Sequence, residues 1–288
     1  MHNRTVLLTG ATSGIGRVMA HALAGMGATL VLACRNDAQA QALCAELSAA
    51  GNPHVAALHL DLASFASVRS FTATFASRYN ALHVLINNAG TFCLRREETA
   101  DGFERTIGVN YLGPFLLTSE LAPLLAAAPG ARIVNVGSAA YRYGRLDLAD
   151  LQFTRRYAGF PAYAASKLAI QLWTHELAER LRPAGVTANV AHPGHVATGI
   201  WRLWPRPTWY QQLFIKLITA FMISPAAGAQ TPLYLATSPD VAGITGAYFV
   251  KQRPQAVRGQ AADRVLQQAL WQAGEQLTGA RWPLLAVA

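Results

Sequence analysis

Tyr163 and Lys167 stand four residues apart, and the chain has only two other lysines, Lys216 and Lys251. On a helix an i,i+4 pair shares one face, so a phenol and an ammonium would serve one site. A free phenol ionises at about 10, too high for an efficient base at neutral pH, and a neighbouring cation brings that value down. Ser138, just past an apolar run, could hydrogen-bond a substrate oxygen and hold it beside Tyr163. The chemistry within reach is acid–base work on an alcohol or carbonyl oxygen. Taken separately each residue has an ordinary reading, a tyrosine packed on a sheet and a lysine on a surface.

Thr9 to Gly16, Thr-Gly-Ala-Thr-Ser-Gly-Ile-Gly, offers a complementary half. Glycines where a strand turns into a helix let the backbone approach a pyrophosphate, whose charge the free N–H groups of the helix N-terminus stabilise. Gly10, Gly14 and Gly16 form the expected cradle, with Ser13, Ile15 and Arg17 on the same surface. The spacing is not the common G-x-G-x-x-G, so the turn alone also fits a βα connection without a ligand. An NAD site usually ends its second strand on a carboxylate for the ribose, whereas a 2′-phosphate needs that acid absent and a base near. Leu32-Ala33-Cys34-Arg35 ends without an acid, and the guanidinium fork of Arg35 suits a phosphate, so NADP(H) is the expected cofactor. The competing assignment has Asp37 reach the ribose and leaves Arg35 a solvated charge. Asp61-Leu62 closes the third run and Asn87-Asn88-Ala89-Gly90 the fourth. Asp61 could accept from an adenine amino group or cap the next helix, and Ala89 and Gly90 are small enough to admit a ribose beside Asn88.

These groups cooperate only if the chain delivers them to one edge. Apolar runs at 5–9, 28–34, 54–60, 83–87, 131–137, 186–192 and 246–250 alternate with helical patterns at about 15–26, 36–50, 64–79, 103–126, 160–182 and 226–237. That alternation predicts an α/β fold, a doubly wound Rossmann-type parallel seven-stranded sheet with helices on both faces, as one domain over 1–288. Three stretches fall outside it. Ser138 to Pro161 is a long connection rich in Tyr and Arg. The segment 201–224, with Trp201, Trp204, Trp209 and Phe214, is expected to be a substrate lid or a buried interface. A helical extension at about 255–288 could extend or block a subunit contact.

Composition narrows the class further. At 288 residues, 52% hydrophobic and 14% charged, the chain is neither a disordered tail nor a disulfide scaffold. Its net charge of +9 is spread out with no run longer than a pair, which argues against nucleic acid and favours anionic small ligands. Three cysteines without a CxxC pair suit a reducing compartment. No apolar run reaches about 18 residues, so no transmembrane segment and a cytoplasmic location are expected. His54, His59, His192 and His195 are not spaced as a ligand cluster, and no metal is expected.

Ordered along the chain, these motifs resemble the short-chain dehydrogenase/reductase family over about residues 3 to 250, and within it the retinol dehydrogenase-like and lipophilic carbonyl reductase members. The family's glycine motif falls on Gly10, Gly14 and Gly16, its acid on Asp61, its NNAG on Asn87 to Gly90, and its catalytic tetrad on Asn110, Ser138, Tyr163 and Lys167. Its Pro-Gly element falls on Pro193-Gly194, with Thr198 following. The resemblance implies hydride transfer between a nicotinamide and a small-molecule alcohol or carbonyl. Tyr163 would exchange the proton, Lys167 would lower its pKa and bind the nicotinamide ribose, and Asn110 would hold a relay water. Thr198 and the backbone near Val196 would orient the carboxamide, and a homodimer is the assembly the family commonly forms. Gly137 stands where the family often has a first serine, while Ser138 is retained. The sequence lacks the N-terminal membrane segment of many animal members, which turns the expectation away from retinol itself. A lipophilic substrate, a polar one taken by a ketoreductase or polyol dehydrogenase, and a non-catalytic NADP(H) sensor stay open, the intact Tyr163 and Lys167 arguing against the last.

Overall fold

The computed structural model describes residues 1–194, 196 and 223–282. Parallel strands β1 (Thr5–Thr9), β2 (Thr29–Cys34), β3 (Val55–His59), β4 (Val84–Asn87), β5 (Arg132–Val136), β6 (Thr187–His192) and β7 (Tyr248–Val250) lie in the order β3-β2-β1-β4-β5-β6-β7. The order reverses beside β1, the place where open α/β sheets bind ligands outside the strands' carboxyl ends. Each strand is apolar almost throughout because both faces are covered. Alternate residues prove it: Leu7, Val31, Leu85 and Ile133 enter one core, while Val6, Leu8, Leu30, Leu32 and Ile86 enter the other.

Helices α1 (Gly14–Gly25), α2 (Asp37–Ala49), α3 (Phe65–Ala76), α4 (Gly113–Ala126), α5 (Gly159–Leu181) and α6 (Pro225–Thr237) connect the strands. Several begin at a side-chain cap: Asn36 accepts from Gln39 N, Ser64 from Ser67 N and Ser224 from Ala227 N. The helix expected over 103–126 is not continuous. A short turn at Arg105–Ile107 passes into a π-helical turn at Gly108–Leu112 before α4 begins.

An eighth strand, β8 (Arg253–Gln255), pairs antiparallel with β7, so the sheet has one strand more than expected. Its hairpin turn uses Lys251 and Gln252 at φ of 49° and 62°, where Gly or Asn usually announces such a turn. Pro254 is tolerated because the strand is an exposed edge. Helix α7 (Arg264–Thr278) then packs against α4 and α5. Trp271 is fully buried there, 5.1 Å from Phe115 and 4.5 Å from Trp282 between ring centroids, and Tyr111 donates to Leu270 O at 2.8 Å. The extension therefore covers this face of α4 and α5. Most of the expected lid, 201–222, lies outside the described residues, as do His195 and Thr198. Among the described residues no helix is long and apolar enough to cross a membrane.

Candidate active site

The carboxyl ends of β1 and β4 meet as interlocked backbone. Gly10 turns at φ +67°, and a Cβ on it would lie 2.9 Å from Ala89 Cα. At Gly16 a Cβ would collide with the Gly10 carbonyl, so only glycine lets α1 start this close to the turn. Asn88 Nδ2 donates to the carbonyls of Thr9 (2.9 Å) and Gly10 (3.0 Å), and the N–H groups of Asn88 and Ala89 both donate to Thr9 Oγ1 at 3.0 Å. Asn88, expected among the cofactor contacts, thus spends its side chain bracing the glycine turn. Buried Cys34 adds support from β2: burial pushes its thiol up, and hydrogen bonds with the backbone of Ala11, Thr12 and Gly10 oppose that shift.

The remaining nucleotide-side residues are distributed unevenly. Ser13 occupies the N-cap of α1 with no side-chain cap bond, Gly14 opens the helix, and Ile15 is buried below it. Arg35 is exposed at the end of β2 with no ion pair among the described residues, while Asp37 pairs with His59 at 2.9 Å and Arg17 pairs with Glu46. Of the expected charges, Arg35 is the one left for a phosphate. Asp61 Oδ1 accepts from Ala63 N at 2.9 Å, closing the turn before α3, whose cap is Ser64. Leu62 is buried, Gly90 stands on the open edge, and Pro193-Gly194 follows β6. Val196 is buried and bridges in parallel to Ile223.

The second half of the site rises from β5 and α5. A polar chain anchors the strand ends: Asn87 Nδ2 donates to Asn135 Oδ1 (2.8 Å), and Asn135 Nδ2 donates to Thr174 Oγ1 (2.9 Å) on α5. Ser138 follows β5 and caps a short turn, accepting from Ala140 N at 3.2 Å. A Cβ at Gly144 would collide with the Ala164 carbonyl, so the connection after Ser138 lies directly on α5 beside Tyr163. Lys167 is buried and donates to Val136 O at 3.1 Å, with Nζ 5.6 Å from the Tyr163 ring centre. Two of its three N–H donors remain for a ligand. The two halves touch at Gly90, where a Cβ would lie 3.3 Å from Asn110 Oδ1 and 3.8 Å from Lys167 Nζ.

Burial lowers Lys167 to about 8. It pushes the Tyr163 phenol up, and hydrogen bonding with the Ser138 side chain works against that rise. Burial thus acts against the lowering by Lys167 that the spacing suggests. The Lys167 ammonium is itself desolvated and bonded to Val136 O.

The Asn110 side chain is held in place from two sides. Its Nδ2 donates to Thr91 O (3.0 Å) and Ser166 Oγ (2.9 Å), and its Oδ1 accepts from Thr91 N (2.7 Å). The side chain is committed to structure, and Ser166, which nothing in the motif spacing marks, passes the constraint on by donating to Tyr163 O at 2.7 Å. Asn110 lies in the π turn, and Pro114 four residues on has no N–H to give its carbonyl an α-helical bond.

A glycine cradle that side chains would fill, a free helix N-terminus, an unpaired Arg35 and two spare ammonium donors fit a phosphorylated dinucleotide across this edge. Fold and site thus define a Rossmann-type nucleotide-binding protein with a Tyr–Lys couple at the switch point. The family model for short chain dehydrogenases matches residues 4–207. Retinol dehydrogenase 14 of Mus musculus is 41% identical over 97% of this chain and 87% of its own length. A solved structure from Mycobacterium paratuberculosis, 35% identical, covers 98% of this chain and 96% of its own with a TM-score of 0.77. The Pseudomonas aeruginosa RhlG/NADP active-site complex is 25% identical, covers 86% of this chain and 94% of its own, and has a TM-score of 0.67. The chain belongs to the short-chain dehydrogenase/reductase family and is an oxidoreductase.

Proposed function

We propose that this oxidoreductase uses NADP(H) to interconvert lipophilic alcohols with their aldehydes or ketones. The convergence of Ser138, Tyr163 and Lys167 on the edge that carries the glycine cradle carries this reading. A relative named for retinol and a neighbour solved with NADP support it. When bound, the nicotinamide gives or takes the hydride; the chain's residues handle the oxygen and its proton. Ser138 hydrogen-bonds the substrate oxygen and sets its distance from Tyr163. Burial pushes the phenol up, and Tyr163 gives its proton to that oxygen as carbonyl becomes alcohol. The phenolate left behind is stabilised by Lys167, and a water held by the Asn110 carbonyl returns the proton; oxidation reverses each step. Gly10, Gly14, Gly16 and Ser13 receive the pyrophosphate, Arg35 the 2′-phosphate, and Lys167 the nicotinamide ribose.

The substrate class follows from the rim. Phe92 meets the Tyr163 ring edge-on at 5.6 Å, and Leu94, Tyr143 and Phe160 are exposed around the same mouth at 48%, 73% and 47%. Tyr143 and Phe160 lie 6.1 Å apart between ring centres. Large apolar side chains left in water at the entrance gain by covering an apolar ligand. The test is a panel of aldehydes and ketones with NADPH and NADH: turnover should require NADPH and rise with apolar chain length. Equal use of both cofactors, or preference for small polar substrates, overturns the reading.

A further inference from the structure

A cleft of about 370 Å³ opens between the connection after Ser138 and the segment that follows β8. Arg142 and Arg145 line one wall and Arg258 the other, over an apolar floor that includes Tyr141, Leu168 and Ala261. Gln260 ties the walls together, its Oε1 accepting from Leu146 N at 3.2 Å. No carboxylate lines the cleft.

Arginines without an ion pair occur elsewhere, Arg35 among them, but these three line one cleft together. Seven other arginines, Arg17, Arg69, Arg96, Arg105, Arg155, Arg180 and Arg182, pair with carboxylates. None of the three cleft arginines does so among the described residues, and the residues outside that set contain no Asp or Glu that could supply a partner. The acids near in sequence are engaged elsewhere: Asp147 bonds Ala149 N and faces Arg155, Asp150 bonds Thr154, and Asp263 caps α7 at Leu266 N. Arg142 rests over the Tyr141 ring, and three exposed guanidinium groups lining one cleft without a carboxylate give it a positive potential that favours an anion. Guanidinium forks match phosphate oxygens in pairs, and the volume suits a small ligand.

We propose that this cleft is a second anion site, distinct from the nucleotide cradle, that takes a phosphate monoester or diphosphate group. It shares no residue with the nucleotide cradle or with the mouth around Tyr163. Occupancy would cross-link the connection carrying Ser138 to the C-terminal segment. The soluble and lipid-borne forms of this group present the same chemistry, and the test separates them.

The protein is first saturated with NADPH so that its cradle is filled, and pyrophosphate is then titrated at constant ionic strength while the thermal midpoint is read. A saturable rise is expected. The half-effect concentration should increase roughly tenfold or more in Arg145→Gln and in Arg258→Gln, and the rise should vanish in the double variant, each arginine supplying a charge-assisted contact. Arg95→Gln, an exposed arginine elsewhere, should behave as the parent. In a second arm, phosphatidylcholine vesicles with and without phosphatidic acid are sedimented with parent and double variant. Parent-only sedimentation with phosphatidic acid identifies a headgroup; a pyrophosphate response without sedimentation identifies a soluble ligand. No response in either arm, or one that the double variant retains, overturns the site. NADPH binding by the variants shows independently that they fold.

Discussion

The nucleotide half and the substrate half of this site are built in opposite ways. Around Gly10, Gly16 and Asn88 the geometry is backbone against backbone, closed by hydrogen bonds that Asn88 donates and Thr9 accepts, and a Cβ at either glycine would clash. Around Ser138 and Tyr163 a long connection and the 92–94 segment present exposed Leu94, Tyr143 and Phe160, whose identity nothing in the packing dictates. One half is fixed by main-chain packing; the other presents side chains that can vary without disturbing the fold. Substitutions should accordingly be severe and general on the first side and selective on the second, with the proton couple between them.

The largest effect belongs to that couple. Tyr163→Phe keeps the ring that meets Phe92 and removes the group that exchanges the proton. Turnover should fall roughly 10²- to 10⁴-fold while NADPH affinity, read by fluorescence titration, stays near that of the parent. Near-normal turnover would show that the couple is not the acid and base.

Lys167 sharpens the comparison through pH. Its buried ammonium is lowered from 10.5 to about 8, so below pH 8 it is charged in both folded and unfolded chain and the burial cost is fully present. Between pH 8 and 10.5 the unfolded chain binds the extra proton, so the cost fades as pH rises. Against Lys167→Met the parent should be less stable by about 3 kcal/mol at pH 7 and should close that gap on going to alkaline pH. Denaturant midpoints of both proteins across this range measure it, and a gap independent of pH would show that the ammonium is not desolvated. The same variant should lose turnover, a case of stability yielded for function.

At the nucleotide half's outer edge, Arg35→Ala should weaken NADPH roughly tenfold to 150-fold and leave NADH nearly unchanged. The ion pair of Arg17 with Glu46 and the contact of Asp37 with His59 leave Arg35 the discriminating charge. If Arg17→Ala weakened NADPH and Arg35→Ala did not, the phosphate would sit on α1 instead.

What could be read from the sequence follows the same division. The sheet, its flanking helices and the glycine cradle were legible because apolar runs and glycines report main-chain constraints. The π turn was not, since the pattern over 103–126 is helical throughout and only Pro114, four residues past Asn110, hints that one carbonyl lacks its partner. Ser166 lay in plain view between Tyr163 and Lys167, and its tie to Asn110 depends on a contact from a distant element. β8 escaped because Lys251 and Gln252 take a left-handed conformation that their residue types do not announce. The opposing pull of burial on Tyr163 depends on depth, which spacing alone does not convey.

The smallest effects should appear at the rim, and they bear most directly on substrate. Phe160 opens α5 three residues before Tyr163, half exposed and near Tyr143, while Leu94 faces the solvent from the segment that abuts Gly159. Neither carries a group that takes part in the proton exchange, so removing them should leave the chemical step alone. Each substrate methylene that they cover should contribute up to roughly 0.8 kcal/mol, or about fourfold in kcat/KM. Along a homologous series of straight-chain aldehydes the parent should therefore climb steadily. Phe160→Ser and Leu94→Ser should flatten that climb by raising KM for the longer members, with kcat for the shortest one unchanged. A climb that survives both substitutions would move the apolar contact elsewhere, to the 201–222 segment first. A parent without any dependence on chain length would give the rim a purely structural role and bring the polar-substrate reading forward.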